Sequence, residues 1–81
     1  MAGPLYTATE AAELATGWRQ AVSIGTATVT AATIRSWAHR GHLDPAGLDD
    51  HGRPLYDLAD LARAEYATRG RALRLVGIGS R

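Results

Sequence analysis

Val29-Thr30-Ala31-Ala32-Thr33-Ile34-Arg35-Ser36-Trp37-Ala38-His39-Arg40-Gly41 is the stretch on which the fold turns, and it reads as a short amphipathic helix marked at both ends. Thr30 supplies a hydroxyl able to accept from the backbone N–H of Ala32 or Thr33, and Val29 and Ile34 occupy the two positions of a hydrophobic staple. Gly41 closes it, as the residue best suited to a left-handed C′ position. Stepping about 100° per residue puts Ile34, Trp37, Ala38 and Gly41 on one side, with Ala32, Thr33, Ser36, His39 and Arg40 opposite and Arg35 on the flank. The outer side carries arginine and histidine but no carboxylate, and no Asp or Glu occurs between Leu14 and Leu43. A face that is merely solvated usually mixes both signs, so this bias favours an anionic partner.

Working outward, Thr7 and Glu10 form a capping box that opens an earlier helix. Leu14, Trp18 and Val22 recur at i, i+4 and i+8, which carries that helix past Gly17 to about Ser23 and makes Trp18 a core residue rather than a stacking platform. Thr26 to Val29 is β-prone and reads either as a loop or as a short strand. After Gly41, two short extended runs flank Asp49-Asp50-His51-Gly52-Arg53 and predict a β-hairpin, with Pro45 and Pro54 restricting its strands to edge-like pairing. Asp57 is the next N-cap, with Tyr56 and Leu61 as staple, and Leu58, Leu61, Ala62, Glu65 and Tyr66 give a third helix to Thr68 or beyond. The basic, apolar stretch from Arg69 to Val76 either extends that helix or packs as a strand.

Composition narrows the function. At 81 residues the chain is expected to form one domain over 1–81, with a core over about 6–68 and a tail over 69–81. Its formal net charge of +1 means that any attraction to nucleic acid comes from where charge is placed. Lysine is absent and arginine carries the fixed positive charge, as a GC-rich bacterial or phage genome would favour. Cysteine is absent too, which excludes disulfides and thiolate metal sites. No apolar run approaches the ~20 residues of a membrane span. The expected location is the cytoplasm, at the bacterial nucleoid, with no membrane partner.

Other constellations are better explained without chemistry. His39, His42 and His51 lack the further fixed ligands that a zinc site needs, so no metal and no cofactor is expected. Asp49 and Asp50 beside Gly52 suit a tight hairpin turn. No nucleophile has a base at hand and no Gly-rich loop precedes a helix, so an enzyme is not expected. Arg63, Arg69, Arg71 and Arg74 recur near helical spacing, either as a solvated face, as a phosphate clamp, or as a partner surface with Leu73, Leu75 and Val76.

A capped helix, Thr33-Ile34-Arg35-Ser36-Trp37, Arg40-Gly41-His42-Leu43, Gly52-Arg53-Pro54-Leu55-Tyr56 and then Asp57-Leu58-Ala59-Asp60-Leu61 resemble the winged helix-turn-helix of the MerR superfamily, in particular its small excisionase-like members. The resemblance covers Tyr6 to about Arg63. It implies an α+β, mostly α fold of three helices with a small β-hairpin wing, the second helix entering the major groove. By likeness, Thr33, Arg35 and Ser36 match the DNA-facing start of the recognition helix, Trp37 a buried aromatic and Arg53 the wing's basic contact. Ser36 stands where family members often carry tyrosine. The chain also departs between the first two helices, where about Thr16 to Thr28 is extra, implying a longer first helix or an added strand against the wing. The family's effector-sensing and coiled-coil regions would lie beyond the third helix.

The expected function is sequence-specific binding of double-stranded DNA, as a small transcription regulator or as an excisionase beside an integrase, with further copies of the chain side by side on DNA. Thr30, Ala32, Thr33, Arg35, Ser36, His39, Arg40 and Arg53 are the candidate DNA-binding residues. The alternative is a protein adaptor that keeps the fold.

Overall fold

The computed structural model describes residues 3–22, 25 and 28–79, with side chains through residue 70. In chain order the elements are β1 (Leu5–Tyr6), α1 (Ala8–Val22), α2 (Ala31–His39), β2 (Gly47–Leu48), β3 (Pro54–Asp57) and α3 (Leu58–Gly79). Three helices thus surround a three-stranded antiparallel sheet of order β1-β3-β2, the arrangement of a winged helix-turn-helix.

The capping box opens α1 as its sequence demands: the Thr7 N–H donates to Glu10 Oε1 at 2.9 Å and the Glu10 N–H to Thr7 Oγ1 at 3.2 Å. The face that α1 buries differs from the expected Leu14, Trp18 and Val22 stripe. Ala11, Ala12, Ala15 and Arg19 are the buried residues, while Leu14 and Trp18 are half-buried and Val22 is 50% exposed. Alanine's short side chain lets α1 approach α2 and α3 closely, and the larger residues pack along the margin of that contact.

The extra residues between α1 and α2 are explained as far as Val22 by a longer first helix. Beyond it the β-prone Thr26 and Ala27 lie outside the described residues, and Thr28 and Val29 are irregular. Thr16 ties this connection back to α1: its hydroxyl accepts from the Val29 N–H at 2.9 Å and donates to Ala12 O at 2.8 Å.

Helix α2 begins at an extended Thr30, whose Oγ1 accepts from the Thr33 N–H at 3.2 Å. Val29 and Ile34, the staple pair, are both buried. At the other end the N–H of Gly41 reaches Ala38 O and that of His42 reaches Trp37 O, the paired bonds of a Schellman ending, with Gly41 at φ 83°. Thr30→Ala is expected to cost about 1 kcal/mol of stability, read as a lower urea midpoint with an unchanged denaturant slope.

In the sheet, Leu5 lies opposite Asp57 and Tyr6 opposite Tyr56, while Gly47 lies opposite Leu55 and Leu48 opposite Pro54. Edge-like pairing holds for β2 but not for β3, which is the central strand. Pro54 is tolerated there because β1 pairs only with Tyr56 and Asp57, so no neighbour on that side needs the N–H that proline lacks.

Asp57 belongs to β3 and also caps α3, its Oδ1 accepting from Ala59 N–H at 2.7 Å and Asp60 N–H at 3.2 Å. Its staple, Tyr56 and Leu61, is buried. Helix α3 then runs unbroken to Gly79, which settles the backbone of the basic, apolar stretch as helix; the side chains of Arg71, Leu73, Arg74, Leu75 and Val76 lie outside the described residues. Its buried positions are Leu61, Ala64 and Glu65, whereas Leu58 and Tyr66 are exposed. With Ile34 and Trp37 of α2, Leu43, and the alanines of α1, these residues form one core beneath the sheet's Tyr56.

A buried ionic cluster joins the helices beside that core. The Glu65 carboxylate, fully buried, accepts from Arg19 Nε at 3.4 Å and from Arg69 Nε at 3.0 and 3.2 Å. Arg19 also donates to Thr68 Oγ1 at 2.8 Å and lies over the Trp37 ring, 5.5 Å from its centroid. One guanidinium from α1 therefore touches α2 and α3 together.

Candidate nucleic-acid interface

Helix α2 buries Ile34 and Trp37 and turns Thr30, Ala32, Arg35, His39 and Arg40 outward as exposed residues, with Thr33 and Ser36 half-buried. The sequence pattern is thus realised as a surface: the apolar side seals against α1 and the other carries polar and basic groups beside the small Ala32, with no carboxylate. Thr33 is less available than its neighbours, since its hydroxyl lies 3.1 Å from that of Thr30, whose oxygen also caps the helix.

The hairpin wing is built by its acidic turn. Asp49 Oδ1 accepts from the His51 N–H at 2.8 Å and from the Arg53 N–H at 2.9 Å, while the Gly52 N–H donates to Asp49 O at 3.0 Å. Gly52 has φ 76°, a conformation that a side chain would strain. These bonds to the carboxylate, chiefly from the Arg53 N–H, hold Asp49 below its ordinary value and keep it ionised near neutrality.

The turn returns Arg53 towards α2. A cleft of about 160 Å³ is lined by Thr7, Ala8 and Thr9 at the start of α1, by Arg35, and by Asp49, Arg53 and Pro54 of the wing. Arg35 and Arg53, eighteen residues apart in sequence, therefore share one opening. Arg35 also lies near the buried Tyr56, where burial raises the phenol's pKa and the arginine's charge partly opposes that rise. His39 and Arg40 lie outside this cleft, at the far end of α2, where Arg40 is the C-cap residue. The eight candidate residues thus fall into seven on and beside α2 and one in the wing, Arg53, which lines a cleft together with Arg35.

Three features escaped sequence reasoning. Asp49 was legible as a turn residue, but not as the one carboxylate among the residues lining the cleft; its i, i+4 spacing to Arg53 was the available signal. Arg19 and Glu65 carry no such signal, because their contact spans forty-six positions. Among the described residues no group of three or more His, Cys, Asp or Glu side chains is placed to hold a metal ion, and no helix is long and apolar enough to cross a membrane.

Comparison with protein families matches residues 25–74 to the MerR HTH family of regulatory proteins, which is more than half of the chain. The chain belongs to the MerR helix-turn-helix family. The matched residues take in α2, the wing and most of α3, and α1 precedes them. Members of the MerR family are DNA-binding transcription regulators rather than enzymes. No curated protein and no solved structure matches the chain.

Proposed function

We propose that this MerR-family protein binds double-stranded DNA sequence-specifically, with α2 in the major groove and the wing on the flanking backbone. The observation that carries this reading is the meeting of Arg35 and Arg53 at one cleft, at the edge of an exposed helix face free of carboxylates. Arg35 and Arg40 would contact phosphate or guanine edges, and Arg53 would hold the wing to the backbone. Thr33 and Ser36 would reach bases near the helix start, with Thr30, Ala32 and His39 bordering the contact. The protein would act in the bacterial cytoplasm as a small transcription regulator or as an excisionase that works beside an integrase. One recognition unit of this kind covers only about 600–1,000 Å² on DNA, so useful affinity calls for several copies side by side.

The two arginines are expected to fail differently. Arg35→Ala should weaken specific binding by about 1–3 kcal/mol, whereas Arg53→Ala should weaken seated complexes on all target sites alike and flatten their salt dependence by about one contact. Gel-shift titrations with mixed genomic duplex fragments, over a series of salt concentrations, measure both. If both variants bind duplex as tightly as the parent at low salt, this face is not the interface. Absence of any shift, with stoichiometric capture of a protein from lysate, favours the adaptor reading instead.

A further inference from the structure

The two carboxylate oxygens of Asp49 do different jobs. Oδ1 accepts the His51 and Arg53 backbone N–H groups and so builds the turn. Oδ2 faces the Arg53 side chain, 3.8 Å from its Nε. Arg53 is therefore loosely ion-paired with a carboxylate that lines the same cleft as Arg35.

A pair of this kind is weak. The Arg53 side chain is 72% exposed, and exposed ion pairs are readily displaced by a competing anion. Asp49 is the one carboxylate among the residues that line the cleft with Arg35, and its ion pair is with Arg53. A phosphate that enters the cleft meets Arg35 from α2 on one wall and an Arg53 already held on the other. It must draw Arg53 away before the wing can grip.

We infer that Asp49 is an internal counter-charge that holds Arg53 back until a backbone phosphate, brought in by the seating of α2, takes the guanidinium from it. The inference rests on the DNA-binding reading and adds a regulation of that surface. Long-range attraction to any polyanion is damped because the wing's cation is already paired. In a seated complex the arginine changes partner and the wing's contact is gained. Asp49 thereby favours seated complexes over loose electrostatic ones.

The division of labour between the oxygens gives a clean test. Asp49→Asn keeps an oxygen for the two backbone N–H groups but replaces the other with an amide donor that cannot pair with a guanidinium. Asp49→Ser is a second neutral variant, since a hydroxyl oxygen can accept in a similar turn. Binding to unrelated duplex DNA is measured for the parent, for both variants, and for each substitution combined with Arg53→Ala. With Arg53 present, the neutral variants are expected to bind about threefold more tightly or better, and the slope of log affinity against log salt should steepen by about 0.9, the increment of one phosphate contact. In the Arg53→Ala background the gain should largely vanish.

Equal gains in both backgrounds mean that Asp49 simply repels phosphate, and they overturn the inference, as do neutral variants with the parent's affinity and slope. A parent protein that shifts no duplex overturns the DNA-binding reading and the inference with it. A parent that binds while its neutral variants behave like it overturns the inference alone.

Discussion

Glu65→Ala is expected to remove about 3–5 kcal/mol of folding stability, because it leaves a buried guanidinium without its carboxylate. For a chain of 81 residues, at ~0.05–0.15 kcal/mol per residue, that loss is comparable with the whole stability. Glu65 is fully buried and Arg19 is 7% exposed, so water cannot replace the lost partner cheaply. Arg69 suffers less, since its side chain is 24% exposed; in the parent its hydrogen bond to the Glu65 carboxylate raises its already high pKa. Replacing Arg19 and Glu65 together by Met and Leu should cost far less than Glu65→Ala alone, because the desolvation of both charges disappears with their attraction. Urea unfolding followed by circular dichroism separates these cases. A Glu65→Ala protein with the parent's midpoint would show that the carboxylate is not enclosed as described.

The second large effect is expected at Trp37. Removing its indole should cost about 3–5 kcal/mol through lost burial and the cavity left between α1, α2 and α3. Part of that loss belongs to Arg19, which lies over the ring; a partly desolvated cation over an indole contributes about 0.5–2 kcal/mol. Trp37→Phe keeps an aromatic face and should lose much less. A double-mutant cycle with Arg19→Met measures the shared part, and a coupling energy of zero would show that the stacked guanidinium adds nothing. Because Trp37 seats the helix that carries Arg35, Trp37→Ala should also weaken DNA binding at temperatures where the variant is still folded.

Much of this architecture was readable from short-range chemistry. Thr7 with Glu10, Thr30 and Asp57 each mark a helix start by a side chain that bonds backbone N–H groups two or three residues away, and such marks depend on nothing distant. Gly41 and Gly52 likewise carry local backbone demands. The wing followed from its acidic, glycine-containing turn. What stayed hidden depends on partners far along the chain. Strand β1 is two residues long and has no periodicity to detect; only pairing with Tyr56 and Asp57 makes it a strand. Arg19 and Glu65 are residue types that are rarely buried unless paired, and only the fold places them together. The alanine face of α1 was overlooked in favour of Leu14, Trp18 and Val22, because hydrophobic spacing weighs side-chain size whereas close helix approach selects small residues.

The candidate interface divides in the same way. The exposed helix face was legible from a pattern within thirteen residues, whereas Arg53 was singled out by the family resemblance. Their convergence at one cleft, and the carboxylate between them, required the return of the chain through β2 and β3.

The stem of the wing is paired on both sides. Strand β3 is flanked by β1 on one side and β2 on the other, and it passes into α3 through Asp57, a residue that serves both elements at once. The distance between Arg35 and the wing's root is consequently set by the protein rather than adjusted to each target. In the proposed complex such a stem would work as a fixed gauge, with any mismatch in groove width falling on the duplex. Target sites rich in easily deformed pyrimidine–purine steps would then be preferred even at positions that no side chain reaches.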